Sequence, residues 1–393
     1  MNSPAYIFDI DEFGKQVERI KVELGENIPL CFSIKANPFL LNSIPKGIER
    51  VEVCSPGELS LCEELNIDPQ MIIYSGVMKE YEDIERAVNY DVAILTAESK
   101  LHVELENEVC MANNKIKNVI LRLTSGNQFG MSVSDIDEII GNRENYKGLN
   151  IIGIHYYSGT QKKLRQVDKD FKRLNELMDL LKDKYDYVPK LVEYGPGIPV
   201  NYFTYPYEDQ DMEMLKEVAG RIKEFAQKYP VGIEMGRFLA TSCGYYLTSV
   251  KDIKNNNETD YVICDGGIHH LKYYGQNMAM QIPPLYYIDG ERNLPDAVLE
   301  TIAKPKKNED ELVPYTLCGS LCTVADVLIR EVNLPKLSIG DRLLFGRCGA
   351  YSVTEGTVLF LSRNMPEIYF YSDKWGLKKI RQEKASYLIN MME

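Results

Sequence analysis

Two hydrophobic rhythms alternate along the first 236 residues. Apolar runs of strand length fall at 30–34, 51–54, 71–74, 92–95, 119–123, 151–157, 191–194 and 231–234, each short enough for a strand buried on both faces. Between most of them apolar positions recur three or four apart, at 58–65, 81–88, 101–111, 136–140, 171–181 and 214–225, the spacing of amphipathic helices. Eight strand-then-helix alternations predict a parallel (β/α)8 barrel of the TIM type. After Arg237 the rhythm changes to short strand-like runs at 244–250, 261–264, 285–288, 315–317, 341–345, 357–360 and 367–371. They predict a β-rich second domain, sandwich-like or barrel-like. The first ten residues precede the barrel and are expected to add a strand to that domain. The expected division is therefore a barrel over 11–238 and a β-rich domain over 1–10 and 239–393. Asn255, Asn256 and Asn257, and residues 304–311, read as polar loops.

Composition narrows the partners. Lys and Arg total 45 against 58 Asp and Glu, a net charge of −13 in 393 residues, so no long-range attraction draws the chain to nucleic acid or to an anionic membrane. The start lacks the basic and apolar segments of a signal peptide, and no apolar run approaches the ~18 residues of a span; a cytoplasmic protein is expected. Nine cysteines are an odd number, and Cys31, Cys54, Cys243 and Cys264 lie in apolar runs where a thiol acts as a small hydrophobe. No metal site is expected. Cys318 and Cys322 lack a second cysteine pair, while His269 and His270 are neighbours on opposite faces of an extended segment without a third ligand.

In such a barrel the chemistry sits at the C-terminal strand ends. The residues there are Lys35-Ala36-Asn37, Glu52, Ser55, Gly76, Arg122, His155 to Gln161, Gly195-Pro196-Gly197 and Glu234 to Arg237. Lys35, closing an apolar strand, is expected to be desolvated at the barrel mouth, an amine ready to form an imine; a rim lysine that snorkels to water is the plainer reading. Gly195, Gly197 and Gly236 follow the seventh and eighth strands, where these barrels commonly bind phosphate. Ordinary turns would also explain them. An imine-forming lysine beside a phosphate cradle points to pyridoxal phosphate bound as a lysine Schiff base.

Across nearly the whole length the chain resembles the fold-type III pyridoxal-phosphate decarboxylases, the ornithine/diaminopimelate decarboxylase family with the alanine racemase-like fold. Ser33-Ile34-Lys35-Ala36-Asn37 is similar to the family's cofactor-lysine segment, and Glu52-Val53-Cys54-Ser55-Pro56-Gly57-Glu58 to its second-strand motif, with Glu52 where Asp is usual. Gly195-Pro196-Gly197 resembles its phosphate loop, and Glu234-Met235-Gly236-Arg237 its Glu-Pro-Gly-Arg turn. Cys318 to Leu328 and Gly349-Ala350-Tyr351 resemble its two C-terminal signatures. The resemblance implies that Lys35 carries the Schiff base and that Glu234 faces the pyridine nitrogen. It implies phosphate contacts from Thr160, Gly195, Gly197, Gly236, Arg237 and Tyr351. It also implies a homodimer with shared sites, in which Cys322 enters from the second subunit close to the substrate Cα, with Thr323 and Tyr351 on the substrate side.

Two departures bear on substrate. His155-Tyr156-Tyr157-Ser158-Gly159-Thr160-Gln161 puts Tyr157 where the family stacks a histidine on the cofactor, and a tyrosine can stack but carries no positive charge at neutral pH. Thr323 follows the signature cysteine where an acidic residue usually reads a distal amine. Similar departures occur in butirosin-type decarboxylases of aminoacyl groups held on carrier proteins. The leading reading is therefore decarboxylation of an amino acid or a carrier-tethered aminoacyl group. A decarboxylase of free diaminopimelate or ornithine, a racemase of the same fold, and a cofactor-free regulatory homologue remain as alternatives. Lys162, Lys163 and Arg165 are the residues able to supply a basic patch for an acidic carrier.

Overall fold

The computed structural model describes residues 1–303 and 312–392; the loop expected at 304–311 lies outside them. Packing divides the chain into two compact units, one of residues 15–200 and 208–239 and one of residues 1–14, 201–207 and 240–393. Residues 11–14 and 201–207, inside the expected barrel span, thus pack with the strand-rich unit.

The chain opens with β1 (Ala5–Asp9) and α1 (Ile10–Leu24). There follow β2 (Leu30–Ser33), β3 (Arg50–Val53), α2 (Pro56–Glu64), β4 (Ile72–Tyr74), α3 (Tyr81–Tyr90), β5 (Ile94–Ala97), α4 (Lys100–Ala112) and β6 (Lys117–Arg122). The series continues with α5 (Val133–Gly141), β7 (Leu149–Tyr157), α6 (Leu164–Tyr185), β8 (Leu191–Gly195), α7 (Tyr207–Ala226), β9 (Val231–Met235) and α8 (Arg237–Ala240). Strands β2 to β9 pair in parallel and close into a barrel, with Cys31 of β2 in register with Glu234 of β9. The eight apolar runs are these strands. Each is buried on both faces because helices cover the outside while side chains fill the interior. Serines set the helix starts: Ser55, Ser99 and Ser132 accept the backbone N–H three residues on, at the heads of α2, α4 and α5.

The second unit contains β10 (Gly244–Asn256), β11 (Thr259–Cys264), β12 (Leu285–Ile288), α9 (Leu294–Ala303), β13 (Leu312–Cys318), β14 (Val327–Pro335), β15 (Arg342–Phe345), β16 (Glu367–Ser372) and β17 (Gly376–Arg381). They form one sheet in the order β14-β13-β11-β10-β1-β16-β17, with β15 also on β10 and β12 on β15. The N-terminal strand lies inside this sheet, antiparallel to β10 and parallel to β16. Its core joins Ala5 and Ile7 with Leu247, Ile288, Leu344 and Tyr369.

Four local expectations change. Residues 357–360 form no strand; they lead into a 3-10 turn, Phe360–Ser362, and Leu359, Phe360 and Leu361 stay 42, 47 and 49% exposed, so no apolar face is buried there. Strands β14 and β17 were not expected, because Arg330 with Glu331 and Lys378 with Lys379 interrupt their apolar pattern; both are edge strands, where charges discourage further pairing. Asn255 and Asn256 continue β10, opposite Asp260 and Thr259. Positive φ at Asn257 and Glu258 makes the tight hairpin turn. His269 and His270 lie in a turn closed by His270 N–H on Gly267 O at 3.0 Å, so their rings pack 3.8 Å apart instead of pointing to opposite faces. His270 bonds the Tyr246 hydroxyl and Asn364 O, a structural use of the ring.

Candidate active site

The site is built at the C-terminal ends of β2, β3, β7, β8 and β9. Strand β2 ends at Ser33, and Lys35 stands in the 3-10 turn Ile34–Ala36 that follows. Its ammonium lies 2.6 Å from Glu52 Oε2, 3.9 Å from Glu234 Oε1 and 3.4 Å from Cys54 Sγ. The lysine is thus not the desolvated amine expected from the sequence: its side chain is 37% exposed and paired with a buried carboxylate, because the turn carries it two residues past the end of the strand.

Glu234 is held at both oxygens. The Ser33 hydroxyl donates to Oε1 at 3.0 Å, and His155 Nε2 lies 3.1 Å from Oε2. Burial pushes this carboxyl up, but Lys35, then the bond and the charge of His155, outweigh it and hold Glu234 well below the usual carboxylate range. An ionised Glu234 requires His155 to donate from Nε2. Glu52, His155 and Glu234 could also be read as metal ligands, since one ligand atom of each lies within 4.8 Å of the others. A cation already occupies that ground: the Lys35 ammonium pairs with Glu52 and approaches Glu234.

Tyr157 stands two residues after His155 on β7, the same face by the period of a strand, and in register with Gly195 of β8. Burial raises its phenol, so the ring is neutral. The glycines make room. A Cβ on Gly195 would meet Tyr157 Cδ2 at 2.5 Å; on Gly197, at φ +57°, it would meet Gly159 O at 2.0 Å; on Gly236 it would stand 3.0 Å from Ala36 Cβ. Thr160 and Arg237, both half-buried, flank these backbones. Lys162 is buried, donating to Asp170 Oδ2 at 2.7 Å and Gly195 O at 3.0 Å. Its charge therefore fixes the glycine loop and contributes nothing to a surface patch.

The remaining sequence candidates lie in the strand-rich unit. Gly319 N–H bonds Asp326 O at 2.9 Å, and the Asp326 carboxylate accepts Leu321 N–H at 2.7 Å and Ile268 N–H at 2.8 Å. That closes a loop whose outer residues are Cys322, exposed, and Val324, 99% exposed. Thr323 is half-buried, its hydroxyl accepting Ala325 N–H at 3.3 Å. Tyr351 is half-buried in a turn at φ +66°. Ser33, His155 and Asp326 had no role assigned from sequence. The signal for His155 was present: it lies two residues from Tyr157 on one strand.

These features suit a barrel enzyme whose carbonyl-type cofactor would be held on a lysine. The pyridoxal phosphate fit is specific: a mouth lysine for the aldehyde, a carboxylate held ionised for a pyridinium nitrogen, a neutral aromatic face, and glycine backbones that side chains would fill. The chain belongs to the pyridoxal-dependent decarboxylases, whose pyridoxal binding domain matches residues 10–241. It is similar to an L-glutamyl-[BtrI acyl-carrier protein] decarboxylase of Niallia circulans, 26% identical over 93% of this chain and 87% of the relative. It is also similar to a 2-[(L-alanin-3-ylcarbamoyl)methyl]-2-hydroxybutanedioate decarboxylase of Staphylococcus aureus, 26% identical over 93% of each. A diaminopimelate decarboxylase from Methanocaldococcus jannaschii, solved with L-lysine, shares the fold at TM-score 0.82 and 20% identity, over 100% of this chain and 92% of that one. No helix of the described residues is long and apolar enough to cross a membrane.

Proposed function

We propose that this protein is a homodimeric decarboxylase of an amino acid whose side chain ends in an acyl-linked extension, in the leading case an aminoacyl group tethered to a carrier protein. The observation that carries the chemistry is Glu234, bonded at both oxygens and beside the Lys35 ammonium. Lys35 holds the cofactor, Tyr157 covers its ring, and Glu234 takes the pyridine nitrogen. Thr160, Gly195, Gly197, Gly236, Arg237 and Tyr351 take its phosphate. Bound there, pyridoxal phosphate supplies an electron sink for the pair left on Cα when CO2 departs. Glu234 keeps that sink strong by staying ionised, whereas a racemase is served by a weaker one. Glu52 Oε2, 2.6 Å from Lys35 Nζ, holds the proton that the lysine carries when it is not bonded to cofactor. Cys322 Sγ, on an exposed loop, returns a proton to Cα from the second subunit.

The exposed apolar residues of the strand-rich unit support the dimer. Val324, Leu359, Phe360 and Leu361 face solvent in one chain, and a second copy is the natural cover for such a surface. Thr323 supports the substrate class: a distal ammonium taken out of water needs a carboxylate, and an unpaired buried charge costs several kcal/mol. The two relatives act, by their names, on an aminoacyl carrier protein and on an alanine extended through an amide into a dicarboxylate. Neither name carries a distal amine. The test compares CO2 release from free ornithine, lysine and meso-diaminopimelate with release from glutamyl and other aminoacyl carrier proteins. Efficient turnover of any of the three diamino acids overturns the reading of Thr323.

A further inference from the structure

Outside the barrel wall, between β7 and α6, lies a cavity of about 720 Å³. Tyr156 and Ser158 line it from the strand side, and Lys169 and Arg173 from the helix. Since neighbouring strand residues point to opposite faces, this cavity backs directly onto Tyr157 and the glycine loop. Its floor is electrically settled. Asp170 accepts the Ser158 hydroxyl at 2.8 Å, Lys162 Nζ at 2.7 Å and the Tyr194 hydroxyl at 2.9 Å, so its charge is matched from below.

The helix above it is not settled. Arg165, Lys169 and Arg173 follow at intervals of four, which puts them on one face of α6, and Lys163 caps the same end. None of these four cations meets a carboxylate among the described residues. The nearby acids are otherwise engaged: Asp168 pairs with Arg221 at 2.7 Å and Glu176 with Lys172 at 3.8 Å. Exposed lysines alone are a solvated face and cost nothing. Arg173 differs, because it is half-buried and its side chain lines the cavity itself, with no ion pair among the described residues. A guanidinium that lines a cavity and meets no carboxylate suits an anion there.

We infer that this cavity and the basic face of α6 are where an acidic carrier domain docks, with the phosphodiester of its substrate-bearing arm against Arg173; this rests on the carrier-tethered reading above. A small free anion would use Arg173 alone. Positions 165 to 173 extend the charge over about 12 Å of helix, the scale of an acidic helix face on a protein partner. The local field also removes the objection that a chain of net charge −13 repels such a partner, because screening leaves mainly charges within ~8 Å to act at physiological salt.

The experiment uses the loaded holoenzyme with Lys169→Glu and Arg173→Glu, singly and together. Each is assayed with an aminoacyl carrier protein and with the same aminoacyl group on N-acetylcysteamine, which has the thioester but neither the phosphodiester nor the protein. The double variant is expected to raise KM for the carrier substrate at least tenfold and to lose its salt dependence, with the short thioester's kcat and KM unchanged. The unchanged short thioester also shows that the variant is folded. A wild-type enzyme that uses the carrier substrate while the double variant keeps its KM overturns the docking surface alone. A wild-type enzyme that turns over free amino acids or the short thioester as well as the carrier form overturns the carrier-tethered reading, and the surface with it.

Discussion

Glu193→Gln tests whether the charge balance inside the barrel is as described. Glu193 lies on β8 in register with His155, is 1% exposed, and has one oxygen 3.2 Å from Arg50 Nη1. Its other oxygen has no partner among the described residues. Burial pushes its carboxyl up to about 8; Arg50 opposes the shift, while Glu234 and Glu52 add to it. The folded value lies above the ordinary 4.5, so the native state binds the extra proton. Its stabilising contribution is therefore complete below pH 4.5 and is lost as pH rises toward 8. The slope is about 1.4 kcal/mol per pH unit, or roughly 3 kcal/mol between pH 5 and 7.5. Glutamine has the shape of the protonated acid and no such slope. Urea unfolding of holoenzyme at saturating cofactor, at half-unit steps from pH 5 to 8.5, should show the variant gaining on the wild type by about that amount. Other titrating groups, such as Glu106, raised to about 7 by burial against the opposing charge of Lys79, cancel in the difference. A stability difference that stays constant with pH refutes the reasoning.

Borohydride reduction of the holoenzyme and peptide mapping should find the pyridoxyl label on Lys35, and a label on another lysine removes it from the site. Mixing Lys35→Ala with Cys322→Ala subunits should restore about a quarter of wild-type activity, since half the dimers are mixed and each has one intact site of two; no recovery after demonstrated exchange means that each site is built from one chain. Gly195→Ala should weaken cofactor binding at least tenfold, read by absorbance titration, because its Cβ meets the Tyr157 ring at 2.5 Å and the ring must give way. Unchanged affinity would mean that Tyr157 does not contact the cofactor.

Much of the fold was legible because burial on both faces writes barrel strands as plain apolar runs. The strand-rich unit was harder for the opposite reason. Strands β14 and β17 lie at the sheet edges, where Arg330, Glu331, Lys378 and Lys379 prevent further pairing and also hide the strand from a hydrophobicity reading. At 357–360 the error ran the other way: Val358, Leu359 and Phe360 promised a strand, yet in one chain Leu359 and Phe360 face solvent. An apolar run reports that something will cover it, and here no neighbouring strand does.

The chemistry divides along a similar line. Residue types and spacing singled out Lys35, Glu234 and the glycines, because a mouth lysine, a carboxylate and side-chain-free backbone are each unusual at strand ends. What spacing could not carry was the state of those groups. Lys35 was expected to be a desolvated amine, but the ammonium is matched by Glu52 from a strand seventeen residues away; Lys162 was offered as surface charge, but Asp170 on α6 draws it inward beneath Gly195. In both cases a carboxylate distant in sequence decides where the charge acts. The same logic turns Ser33 and His155 into positioning residues. Neither faces a reactive group of its own, yet together they bind both oxygens of Glu234. A carboxylate bonded at both oxygens and set beside an ammonium resists protonation, so Ser33 and His155 keep on Glu234 the charge that its proposed pairing with the cofactor's nitrogen needs.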